Sequence, residues 1–356
     1  MSGASVAPKR RDPKAVGAPK ARVARRGQAG VTLLELLIGI FVAAILAVFI
    51  YRVLIDQNKA YRRQDEMVRL QQSVRFAMEF MSRSVEMAGY GTYGWTIGNA
   101  QYPAIEVVDG GSGAPDQLQV LYADPSRLAI TTWGNPLGCN TTIISFENEN
   151  AAFQYKDASQ MLCYSYINST KMRSYLFDVT SYNITDNEVE VVTPVGTTAY
   201  DTECTGNLPP DMLCAPANWY IFYVDNVVDG GGGPGTPDKP LLMIREATAP
   251  LDGVAVTPSA SDSVLAEGIE HLNVQFCMSD AGSCASTATW ADTFVANTDA
   301  DHVRQVRLTL WAKSDRISDA ATLYANPLTG ATDHKFRLSS TTSLLLRNLK
   351  RLEEYN

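Results

Sequence analysis

Histidine is scarce in this chain of 356 residues: His271, His302 and His334 are all there is, too few and too scattered to assemble a site. No Gly-x-Ser-x-Gly, His-Glu-x-x-His or Cys-x-x-Cys pattern occurs, so the usual signatures of acyl hydrolases, zinc peptidases and thiol redox enzymes are missing. The glycine-rich stretch at 230–235 is not followed by Gly-Lys-Ser/Thr, which removes the phosphate-binding reading. Cysteine is absent until Cys139 and then appears six times, as Cys139, Cys163, Cys204, Cys214, Cys277 and Cys284. An even count confined to one part of the chain fits disulfides formed outside the cytoplasm. Fifteen connectivities are open; short loops need the least chain organisation, which favours Cys204 with Cys214 and Cys277 with Cys284.

What is present in excess is a single apolar run, residues 30–51, GVTLLELLIGIFVAAILAVFIY. About 21 residues at about 1.5 Å each make a helix of roughly 30 Å, the thickness of a bilayer's hydrocarbon core. Glu35 lies inside that run, where an ionised acid needs a partner or the headgroup region. The run is too long for a secretory signal and lacks a small-x-small site at its end. Before it, Lys9, Arg10, Arg11, Lys14, Lys20, Arg22, Arg25 and Arg26 stand against Asp12 alone, in a chain whose formal net charge is −8. The basic end therefore stays in the cytoplasm and the acidic bulk is exported, despite Arg52, Lys59, Arg62 and Arg63 on the far side. An acidic bulk also argues against nonspecific nucleic-acid binding.

Apolar residues continue at Ile55, Met67, Leu70, Val74, Met78, Met81 and Val85, a spacing of threes and fours that extends the helix with one apolar face. Gly89 ends it, and Ala88-Gly89-Tyr90-Gly91 permits a chain reversal. Beyond Gly94 the pattern changes to short β-type runs at 117–122, 128–133, 141–146, 162–166, 174–179, 188–192, 219–224, 241–245, 272–277 and 303–311. His271 precedes alternating strand residues and reads as a surface or edge position. The loop 228–238 carries Asp229 and Asp238, with Asp225 just before it. These are hard oxygen ligands and weak calcium candidates, without the regular acid spacing of an EF-hand. No other metal or cofactor is expected.

A basic leader ending in Gly30, followed by Val31-Thr32-Leu33-Leu34-Glu35, resembles the prepilin motif of type IV pilins and type II secretion pseudopilins. The resemblance implies cleavage after Gly30 by a prepilin peptidase and N-methylation of the new Val31 amine. Glu35 then matches the acid that pairs with a neighbouring subunit's amine during assembly. Val31, where phenylalanine is commoner, and the 30-residue leader are departures.

Residues 69–80 with 87–90, 265–272, 303–314 and 339–348 further resemble minor pilins of the PilW type. The implied fold is α+β and type IV pilin-like: a long N-terminal α-helix, half membrane-spanning and half amphipathic, packed on a large β-rich head with disulfides. The implied division is a cleaved leader 1–30, a pilin helix 31–88 spanning the membrane over 31–53, and a head 89–356 with an insert around 95–260. The implied function is a non-enzymatic minor pilin at or near a filament tip. Its implied partners are major and minor pilins, prepilin peptidase, the inner-membrane assembly platform and a tip adhesin. A type II secretion minor pseudopilin of the GspJ kind, and an anchored calcium-dependent binding module or enzyme in the periplasm, are the alternatives.

Overall fold

The computed structural model describes residues 31–92, 96–97, 102–111, 113–132, 142–168, 171–192, 211–225, 240–248, 251, 253–278, 284, 290–292, 303–314, 324–325, 330, 332–333 and 335–346. The chain divides into two compact units, Met1–Ala60 and Tyr61–Asn356.

One helix, α1 (Leu33–Met87), belongs to both. It contains no proline, and its one glycine, Gly39, has nothing within 4 Å of where a Cβ would sit. In the first unit every described residue is exposed. In the second unit Leu70, Val74, Ala77, Met78, Met81, Ser84 and Val85 are buried, a stripe of threes and fours on one helix face. Ile55 and Met67, expected on that stripe, are exposed instead. The helix stops where Gly89 takes φ +77°, a conformation that costs glycine little. Gly89 N–H then donates to Leu121 C=O at 3.1 Å, and Ala123 N–H donates to Tyr90 C=O at 2.8 Å, so the chain leaves the helix already bonded to a strand. Gly91 follows at φ +80°, where a Cβ would come within 2.8 Å of Ala123 Cβ.

The strands are β1 (Thr96–Ile97), β2 (Tyr102–Pro103), β3 (Ile105–Val108), β4 (Gln117–Ala123), β5 (Ala129–Ile130), β6 (Ile143–Ser145), β7 (Gln160–Asn168), β8 (Lys171–Asn183) and β9 (Glu188–Val192). They continue with β10 (Leu213–Asp225), β11 (Leu241–Glu246), β12 (Ser263–Glu267), β13 (Ile269–Met278), β14 (Trp290–Ala291), β15 (Val303–Lys313), β16 (Tyr324–Ala325), β17 (Thr332–Asp333) and β18 (Arg337–Leu345). β1 with β2 and β16 with β17 form small ribbons.

The first large sheet is organised by β10. Its first residues pair with β5 and β7, and its later ones with β4 and β11. From β7 the order runs outward through β8 and β9 to β6, and from β11 to β12. The second sheet has the order β14-β13-β15-β18. Alternation along the strands sends Leu118, Val120 and Phe222 of the first sheet, and Leu272, Val274, Val306, Leu308 and Leu310 of the second, into one core with the helix stripe. The opposite face of the first sheet buries Leu121, Trp219, Ile221 and Tyr223. Residues between Ala129 and Cys214 make a third core of their own around Tyr155, Phe177 and Val189.

Gly268 is where the chain passes from one large sheet to the other. It takes φ +80°, donates to Pro240 C=O and accepts from Lys313 N–H, and a Cβ there would lie 2.9 Å from Leu70 Cδ2 of the helix. Two residues on, Glu270 sits in an irregularity of the β13–β15 register, between paired Ile269 and His271. Glu270, 7% exposed, accepts from Arg337 Nε at 2.7 Å, with Lys313 Nζ at 3.9 Å. His271 is not at a surface or edge position: it is buried, opposite Trp311 on β15, with the rings 4.9 Å apart. Sitting in the interior of the β13–β15 pair removes it from water, and that desolvation pulls its ring down to about 4.

Candidate functional site at the helix N-terminus

At the start of α1 the first helical N–H groups have no partners within the helix. Thr32 Oγ1 accepts from Glu35 N–H at 3.3 Å, and the Glu35 carboxylate reaches back to accept from Thr32 N–H and from Thr32 Oγ1, both at 3.0 Å. The Leu36 N–H to Thr32 C=O bond, 3.2 Å, starts the helical ladder. This is a capping box, in which a hydroxyl and a carboxylate three residues apart satisfy each other's backbone donors. Its negative charge also lies at the positive end of the helix dipole. Thr32 was missed as a site residue, although the Thr-x-x-Glu spacing ahead of an apolar run is the signal that reveals it.

Val31 is exposed beside this cap, and Gly30 lies outside the described residues. From Leu33 to Tyr51 every large apolar side chain is exposed, among them Leu33, Leu37, Phe41, Ile45 and Phe49. Among the described residues, α1 is the helix long and apolar enough to cross a membrane. Bare apolar surface of this extent needs lipid or other apolar helices around it. The arrangement can therefore do two things: hold the chain in a bilayer, and offer a carboxylate at a fixed place near one end of the apolar run.

The other sequence candidates fall elsewhere. Asp225 ends β10, while Asp229 and Asp238 lie outside the described residues, and no cluster of three or more metal-ligating side chains occurs among those described. Cys214 pairs with Cys163, not with Cys204. The reason is register: Cys163 on β7 and Cys214 on β10 stand directly opposite each other, a proximity created by the sheet and invisible in loop length. Cys277 pairs with Cys284, and Cys139 and Cys204 lie outside the described residues.

A second polar constellation holds the connection between β11 and β12. Asp262 accepts from Arg245 Nε at 2.6 Å, from Ser259 N–H at 2.7 Å and from the Tyr223 hydroxyl. The Arg245 hydrogen bond holds the Asp262 carboxyl down at about 2, against the opposing cost of burial. Its partners among the described residues are all internal, so this group is a structural fastening.

Residues 25–51 match the family described as the prokaryotic N-terminal methylation motif. No curated protein matches the chain. Among solved structures, the chain is similar to a type IV-like pilin from Thermus thermophilus, at 12% identity and a TM-score of 0.34, covering 80% of this chain and 98% of that one.

Proposed function

We propose that this chain is a prepilin that matures into a minor pilin, a structural subunit at or near the tip of a type IV pilus. The observation that carries the reading is the methylation-motif match over residues 25–51, coinciding with a capped helix that begins at Leu33 and exposes every large apolar side chain through Tyr51. Prepilin peptidase cuts between Gly30 and Val31 and the new amine is methylated. The anchored subunit sits in the inner membrane with its basic leader in the cytoplasm and its head outside. It leaves the bilayer when the bare face of α1 exchanges lipid for the helices of other pilins, on the inner-membrane assembly platform.

Glu35 supports register in this scheme. In the single chain its carboxylate is occupied by Thr32 N–H and Oγ1. Those are neutral, exposed donors, and a neighbouring subunit's ammonium is a stronger partner in apolar surroundings. A head of this size suits a position used once per filament, where it primes assembly and presents an adhesin. The same N-terminal chemistry would serve a secretion pseudopilus, and filament fractionation separates the two.

The test is incorporation. Wild-type chain should appear in sheared filaments, and Glu35→Ala should accumulate in the membrane with its head folded. Equal incorporation of the variant would remove Glu35 from assembly, and absence of wild type from filaments, with presence in a secretion complex, would move the chain to the pseudopilins.

A further inference from the structure

One carboxylate joins the two large sheets. β13 is paired with β15 along its length, but on its other edge, among the described residues, β14 pairs with only Phe276 and Cys277. Further back, that edge is taken by Asp116, the residue before β4. Its N–H donates to Leu272 C=O at 2.9 Å, and its Oδ2 accepts from Val274 N–H at 2.7 Å. Backbone and side chain of a single residue thus act as a two-bond strand between the sheets.

Oδ1 accepts from Gly110 N–H at 3.1 Å, and Asn273 Nδ2 lies 3.5 Å from Oδ2. The turn that brings Gly110 there is tight, since a Cβ on Gly110 would lie 2.5 Å from Pro115 O.

Asp116 is 2% exposed, and among the described residues no cation pairs with it. The groups around it are acidic or neutral. From its own connection comes Asp109, which accepts from Gly111 N–H at 2.7 Å. Beyond β14 comes Asp292, held by Gln275 Nε2 at 2.9 Å. β13 offers neutral Asn273 and Gln275. On β15, Arg307 is engaged elsewhere, 3.5 Å from Gln275 Oε1 and 3.8 Å from the Trp290 ring centre. A buried carboxylate with two acidic neighbours and no counter-ion resists ionisation, while its amide donors favour it.

Burial dominates that contest and lifts the Asp116 carboxyl to about 6, against the Val274 and Gly110 hydrogen bonds and with help from Asp109 and Asp292. We propose that the Asp116 joint is a proton-linked latch between the sheets, closing more firmly as the surroundings turn acidic and loosening as they turn alkaline. The closed joint holds the proton more tightly than the opened one. Its contribution is therefore complete below the ordinary aspartate value of about 3.9 and is lost as pH rises through about 6. This does not depend on the pilin reading.

Hydrogen exchange at the Gly110 and Val274 amides of the full chain in detergent, corrected for intrinsic rates, measures the opening of the joint. The opening constant should be about tenfold lower at pH 5 than at pH 8. In the Asp109→Asn/Asp292→Asn double variant the dependence should shrink, and in Asp116→Asn it should vanish. If Asp116→Asn does not fold, the wild-type profile decides: the opening constant must rise between pH 5 and pH 8. A flat wild-type profile, or one that survives unchanged in Asp116→Asn, overturns the proposal.

Discussion

Residues 33–51 and residues 61–87 lie on the same helix, yet they meet their surroundings in opposite ways. The first stretch is apolar almost all round, Glu35 apart, and every residue of it is exposed; the second mixes charged, polar and apolar residues and buries a narrow stripe from Leu70 to Val85. Hydrophobic content alone would have ranked them the wrong way for burial. What separates them is periodicity: a stripe of threes and fours specifies one partner surface, whereas an unbroken apolar cylinder specifies a solvent, which is lipid or a bundle of similar helices.

The sharpest way to break this comparison is to truncate one side chain on each stretch and watch the head. All five tryptophans lie beyond residue 94, so their fluorescence reports on head unfolding alone. Breaking the buried ion pair with Arg337→Met, which takes the closer cation from Glu270 and leaves Lys313 at 3.9 Å, should cost about 3 kcal/mol, and Glu270→Leu in the same chain should recover most of it. Met81→Ala, which removes a fully buried side chain from the stripe, should cost about 2–5 kcal/mol in denaturant unfolding. Gly268→Ala puts a Cβ at positive φ and against Leu70, for an expected loss of about 1–3 kcal/mol; Leu70→Ala should soften the second penalty in a double-mutant cycle.

His271 gives a smaller, pH-dependent effect of opposite sign to Asp116. Because its folded value is depressed, its contribution is complete above about 6.5 and is lost as pH falls towards about 4. His271→Gln should recover about 1 kcal/mol of the stability that wild type loses between pH 7 and pH 5. At the bottom of the scale, Phe41→Ala on the exposed stretch should leave head unfolding within about 0.5 kcal/mol of wild type. A large effect there would mean that the apolar stretch and the head do not behave as separate units.

The long helix, its glycine stop and the β-rich head were legible because local pattern specifies them. The helix has an uninterrupted period with no proline, and the strands around Leu118–Leu121, Trp219–Tyr223 and Leu308–Leu310 alternate or run apolar in the expected way. The parting of the head into two sheets was not legible, because it rests on Gly268 and Asp116, whose partners lie far along the chain. The Cys163–Cys214 pairing and the burial of His271 failed for the same reason: both follow from strand neighbours, and neighbours are not written in spacing. Strands Ile105–Val108 and Ser263–Glu267 were missed as short runs without a strong alternation. At the candidate site the glutamate was visible as an anomaly, and its capping partner Thr32 was overlooked beside it.

The most direct measurement is mass spectrometry of the N-terminus of this protein recovered from membranes and from sheared filaments. The account predicts a chain that begins at a methylated Val31 in both fractions, with Glu35→Ala cut in the same place but depleted from filaments. An intact leader, or cleavage elsewhere, with the variant behaving as wild type, would contradict it and leave α1 a plain membrane anchor.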